Sequence, residues 1–76
     1  MMTQEIAESI AADMGLQNPI KTTDGLNEDG DKFISITLFR GMKEVGGMRV
    51  IKNGKTEDDC IRSVLESYVK KYGIEA

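Results

Sequence analysis

Few residues in this chain have side chains that could do covalent or metal chemistry, and their spacing argues against most of it. There is no histidine, so the commonest general acid–base group and transition-metal ligand is missing. Cys60 is the single cysteine. It cannot close an internal disulfide, and one thiol without imidazoles does not make a zinc centre. Cys60 directly follows Glu57, Asp58 and Asp59. Those carboxylates oppose thiolate formation, although a helix N-terminus nearby would favour it. A small buried apolar residue on a helix is the expected role.

Asp58 and Asp59 are paired carboxylates at the start of an apolar periodic segment. Neighbours on a helix point in different directions, so they read as helix-start charges rather than as an acid–base pair. Gly54-Lys55-Thr56 echoes the end of a phosphate-binding loop, but that motif needs a glycine where Arg49 stands. Asn27-Glu28-Asp29-Gly30-Asp31 offers oxygen ligands. With Gly30 at the sixth position of a calcium loop, Gly25 falls at the first and Ile36 at the twelfth, which fails. A hairpin turn is the expectation there. No catalytic residue, cofactor or metal site is assigned.

The elements that must position the remaining residues follow from periodicity. Thr3 is expected to cap a first helix running to about Met14, with Ile6, Ile10 and Met14 as its apolar stripe and Gly15 as its stop. Asn18-Pro19 breaks the chain, and Ile20 to Thr23 is a short β-branched strand. Asp24-Gly25 and Asp29-Gly30 both read as turns. Phe33 to Arg40 alternates two sets of residues. Ile34, Ile36 and Leu38 form an aliphatic row for the core. Phe33, Ser35, Thr37 and Phe39 form the row that faces away.

Gly41 to Glu44 is the turn into a return strand, Val45 to Lys52. Gly46-Gly47 is expected to bulge and to reset which residues point inward. If Met48 and Val50 point in, Arg49 and Ile51 point out beside the phenylalanines. Thr56 caps the last helix, with Asp59 as its capping-box partner. Cys60, Ile61, Val64, Leu65, Tyr68, Val69 and Tyr72 keep helical spacing, and Gly73 closes the helix.

The predicted fold is a single α+β domain over residues 1–76. Its order is α-β-β-β-α, with a three-stranded antiparallel sheet and both helices packed on one face. Two helices cover one sheet face, so the other should meet solvent or a partner. No run approaches the ~20 apolar residues of a membrane span, and the start lacks a signal-peptide pattern. A cytoplasmic protein with no membrane partner is the expectation.

Charge is sorted along the chain. Residues 1–31 carry seven acids against Lys21 alone, residues 32–55 carry six bases against Glu44 alone, and residues 56–76 carry five acids against three bases. The formal net charge is −3. Three candidate binding surfaces result.

The first is the outer sheet face: Phe33, Ser35, Thr37, Phe39, Arg49 and Ile51. An apolar patch with a polar rim marks a partner surface. The second is the basic hairpin: Lys32, Arg40, Lys43, Arg49, Lys52 and Lys55. Six bases on phosphate would give a salt slope of about −5 at most. The element order resembles the double-stranded RNA-binding domain in topology. That family carries a lysine-rich motif at the start of its last helix, where this chain reads Thr56-Glu57-Asp58-Asp59. The third is an acidic surface, Glu5, Glu8, Asp13, Glu28, Asp29 and Asp31, which could imitate nucleic acid as small phage-encoded inhibitors do.

The leading expectation is a non-catalytic protein-interaction module, an inhibitor or adaptor, binding a protein or a second copy of itself. Nucleic-acid binding through the basic hairpin comes second and an enzyme third.

Overall fold

A computed structural model describes residues 2–74. The order is α1 (Thr3–Asp13), β1 (Ile20–Leu26), β2 (Lys32–Arg40), β3 (Lys43–Ile51) and α2 (Glu57–Tyr72). The strands form one antiparallel sheet with β2 in the middle. The expected α+β fold is therefore found. α1 packs on β1 and on α2, and α2 packs on β2 and β3.

The core lies between the sheet and the helices. Ile34, Ile36 and Leu38 are 1%, 0% and 0% exposed, so the aliphatic row of β2 is the buried row. They meet Ala7, Ile10 and Ala11 of α1 and Cys60, Ile61, Val64, Leu65 and Tyr68 of α2 in one cluster. Full burial of each large aliphatic side chain contributes about 1.5–3 kcal/mol before chain entropy is counted.

Local chemistry explains the ends of α2. Thr56 Oγ1 accepts from the Asp59 amide at 3.2 Å. Gly73 takes φ 82°, where its amide donates to the Val69 carbonyl at 2.8 Å. Lys70 and Lys71 sit in the last turn, where the helix dipole favours them.

Three local expectations are corrected. Met2, not Thr3, is the N-cap of α1, and it makes no side-chain cap. Thr3 is the first helical residue, and its hydroxyl donates to Glu57 Oε1, tying the start of α1 to the start of α2. Asp24-Gly25 is strand, not turn: Asp24 pairs with Ile34 and Gly25 with Phe33. The reason is space. A Cβ on Gly25 would stand 3.2 Å from Phe33 Cζ, so the glycine makes room for that ring.

The loop of residues 27–31 makes the β1–β2 turn, braced by Asn27 Oδ1, which accepts from the Asp29 and Asp31 amides at 3.0 and 2.9 Å. Lastly, the register shift in β3 falls just before Gly46 and not at Gly46-Gly47, as Leu38 pairs with Gly46 and Phe39 with Glu44, leaving Val45 as the extra residue. Gly46 has a different task. A Cβ there would lie 2.9 Å from the Tyr72 hydroxyl oxygen, so its bare backbone accepts the end of α2.

Candidate functional site

Both helices lie on the Ile34–Ile36–Leu38 side, which leaves the other face of the sheet uncovered. Strand pairing assembles that face. β2 contributes Phe33, Ser35, Thr37 and Phe39. β3 sets Ile51, Arg49 and Gly47 opposite the first three, and beyond the bulge Glu44 opposite Phe39. β1 adds Lys21, Thr23 and Gly25 opposite Thr37, Ser35 and Phe33. All six residues of the first sequence-derived surface thus come together. Lys21, Thr23 and Glu44 were not anticipated. The signal for the first two was the parity of β1, readable once the length of the strand is known.

The face has two apolar ends and a hydroxyl centre. At one end Phe33 lies across Gly25, and the Arg49 guanidinium stands 4.2 Å from its ring centroid. That distance makes a cation–π contact. Ile51 next to them is 38% exposed. At the other end is Phe39, whose amide donates to the Pro19 carbonyl at 2.9 Å, with its carbonyl accepting from Asn18 Nδ2 at 2.8 Å. Thr23, Ser35 and Thr37 lie between. Phe33 and Phe39 are half-buried, each shielded on one side by its neighbours. The apolar surface they offer is correspondingly smaller than two free rings would provide.

A shallow cavity of about 560 Å³ adjoins the Phe33 end, lined by Leu26, Asn27, Glu28, Asp29, Phe33 and Arg49. The stacked guanidinium and two loop carboxylates of the acidic set therefore share one depression. Leu26, 64% exposed, forms its apolar lip.

The basic set is dispersed. Lys32 opens β2 and Arg40 closes it, so they stand about 26 Å apart along the strand. Lys43 pairs with Arg40 at the hairpin end. Lys32, Lys52 and Lys55 gather at the opposite end around a shallow cavity of about 500 Å³, together with Asp31 and Asn53. Arg49 belongs to the outer face. The acidic set is dispersed as well: Glu5, Glu8 and Asp13 are exposed on α1 in the helix layer, Glu28 and Asp29 flank Arg49, and Asp31 sits among the lysines.

One side chain of the core is chemically unusual. The Tyr68 hydroxyl, buried, donates to the Ile36 carbonyl at 2.5 Å. Burial pushes its pKa up to about 12; Tyr72 and Glu44 add to the rise, and a backbone hydrogen bond from Met48 opposes it. Its place inside the core gives it a structural role, holding α2 to the central strand. Cys60 is free and buried in the same core.

Among the described residues, no group of three or more carboxylate or thiol side chains is placed to hold a metal ion, and no helix is long and apolar enough to cross a membrane. The chain matches no protein-family model, no curated protein and no solved structure.

Proposed function

We propose that this chain is a non-catalytic protein-interaction module, an inhibitor or adaptor working in the cytoplasm, which binds its partner through the outer sheet face. One observation carries the reading. The face opposite the helices is left without cover, yet it bears Phe33, Phe39 and Ile51 around a centre of Ser35, Thr37 and Arg49. Aromatic and arginine side chains of this kind are enriched where proteins meet. Burial of ~300 Å² of such surface contributes roughly 7 kcal/mol before association costs. The partner this face fits is another protein, with an apolar contact for each phenylalanine end and acceptors for the hydroxyl row.

The test is affinity capture with three versions of the protein. Wild type and Glu8→Lys, altered in the helix layer, are expected to retain the same partner. Phe39→Ser is expected to lose it while keeping its far-ultraviolet circular dichroism. Capture undiminished by Phe39→Ser contradicts the proposal.

A second reading, nucleic-acid binding, is favoured by the lysine triad alone. Lys32, Lys52 and Lys55 are the largest group of these bases that gathers in one place, so the expected salt slope falls to about −3 at most. Fluorescence polarisation with labelled RNA and DNA at two salt concentrations tests it; binding that ignores Lys52→Glu removes it.

A further inference from the structure

The uncovered face of the sheet is built alike from both ends. Along β2 it runs Phe33, Ser35, Thr37, Phe39, with an aromatic ring at each end and hydroxyls between. Along β3 it runs Ile51, Arg49, Gly47 and, past the extra residue Val45, Glu44. Arg49 and Glu44 are opposite in charge and flank Gly47, which has no side chain. All three are exposed.

The turns add a second charge difference between the ends. At the Phe33 end the β1–β2 loop brings Glu28 and Asp29 beside the ring. At the Phe39 end β2 closes on Arg40, which pairs with Lys43. Turned end for end, this face meets its own copy with ring against ring, hydroxyl against hydroxyl and acid against base. A two-fold contact needs that property, because the same patch serves on both sides.

We propose that a second copy of this chain covers the face, sheet against sheet, which rests on the reading of that face as the binding surface. The two-fold axis lies between the sheets and crosses β2 at right angles, level with Ile36. The pair then has four layers: helices, sheet, sheet, helices, with the sheets ~10 Å apart. Phe33 lies against Phe39 of the second copy and Ser35 against Thr37, each contact made twice. Gly47 of the second copy leaves room over Arg49. Glu44 of the second copy comes opposite Ile51, beside the guanidinium that stands 4.2 Å from the Phe33 ring centroid. Glu28 and Asp29 reach the end where the second copy carries Arg40. The guanidinia also decide the direction of the axis. An axis parallel to β2 would lay Phe33 on Phe33 and bring the two Arg49 cations together, which like charges disfavour. The axis across β2 sends them toward opposite ends of the face.

The experiment is sedimentation of the full chain from about 10 μM to about 1 mM, with the folded state checked by circular dichroism. Three strands by four rows make a contact at or below the ~1,200 Å² of a standard stable interface. Wild type is therefore expected to pass from monomer to dimer across that range. Phe39→Ser and Thr37→Arg are each expected to weaken the dimer by about tenfold or more. Glu44→Arg and Arg49→Glu are each expected to weaken it, and the double variant to restore it, a recovery that misfolding does not produce. Introduced cysteines read the axis, since the native Cys60 is buried. A mixture of Ser35→Cys and Thr37→Cys is expected to cross-link faster than either variant alone. Faster cross-linking within either variant alone overturns the inference. So does a chain that stays monomeric throughout, and so does a dimer that ignores Phe39→Ser. The proposed function is read separately by capture: a monomeric chain that loses a different protein on Phe39→Ser sinks this inference and leaves that reading standing.

Discussion

β2 is one strand with two unlike faces. Ile34, Ile36 and Leu38 are sealed under the helices, while Phe33, Ser35, Thr37 and Phe39, one step out of phase, are half-buried with no element over them. The flanking glycines repeat the contrast. Gly46, on the helix side, has the Tyr72 hydroxyl where its Cβ would be, whereas Gly47, on the open side, would place a Cβ at an ordinary 3.7 Å from Thr37 Oγ1. The lesson is that strand parity divides the buried core from the open face. Residues that hold the fold together point one way, and residues that point the other way form the open face on which the proposed function rests.

Substitutions along the strand sharpen that division. Ile36→Ala should have the largest effect, a loss of about 2–5 kcal/mol from deleted contacts and a residual cavity, read as a fall in urea midpoint. Next comes Gly46→Ala, expected to cost about 1 kcal/mol or more because the Tyr72 ring must shift. Gly47→Ala is expected to be neutral or slightly stabilising, since alanine loses less backbone freedom on folding. Equal losses at the two glycines would break the comparison.

Tyr68→Phe should cost about 1 kcal/mol through its lost hydrogen bond to Ile36. It also carries a pH signature. The Tyr68 hydroxyl titrates near 10 in the unfolded chain and at about 12 in the folded one, so the folded state holds its proton more tightly. The stability it contributes is complete below pH 10 and is lost as pH rises through 12. Urea midpoints of wild type and Tyr68→Phe should therefore converge across that window. Arg49→Ala is expected to cost about 0.5–1 kcal/mol, from its contact with the Phe33 ring, which leaves Gly47→Ala as the mildest of these changes.

The alternation of Phe33 to Arg40 made the buried row readable from residue types alone, because a period of two leaves only two assignments and one of them is wholly aliphatic. The cap, stripe and stop of α2 were readable for similar local reasons. Other features needed tertiary facts. Asp24-Gly25 has turn composition, and only the position of the Phe33 ring explains a glycine inside that strand. The hydroxyl of Tyr68 and the amide of Gln4 find partners 32 and 16–18 residues away, beyond any local pattern. The basic strip looked continuous because sequence distance hides the length of an extended strand. Once β2 is laid out, Lys32 and Arg40 stand at its opposite ends.

The most direct test is to change the middle of the open face and measure fold and capture on the same sample. Thr37→Arg puts a long charged side chain beside Gly47 and Lys21 without entering the core. The account predicts a urea midpoint close to that of wild type together with loss of the captured partner. Retention of the partner at an unchanged midpoint would contradict it.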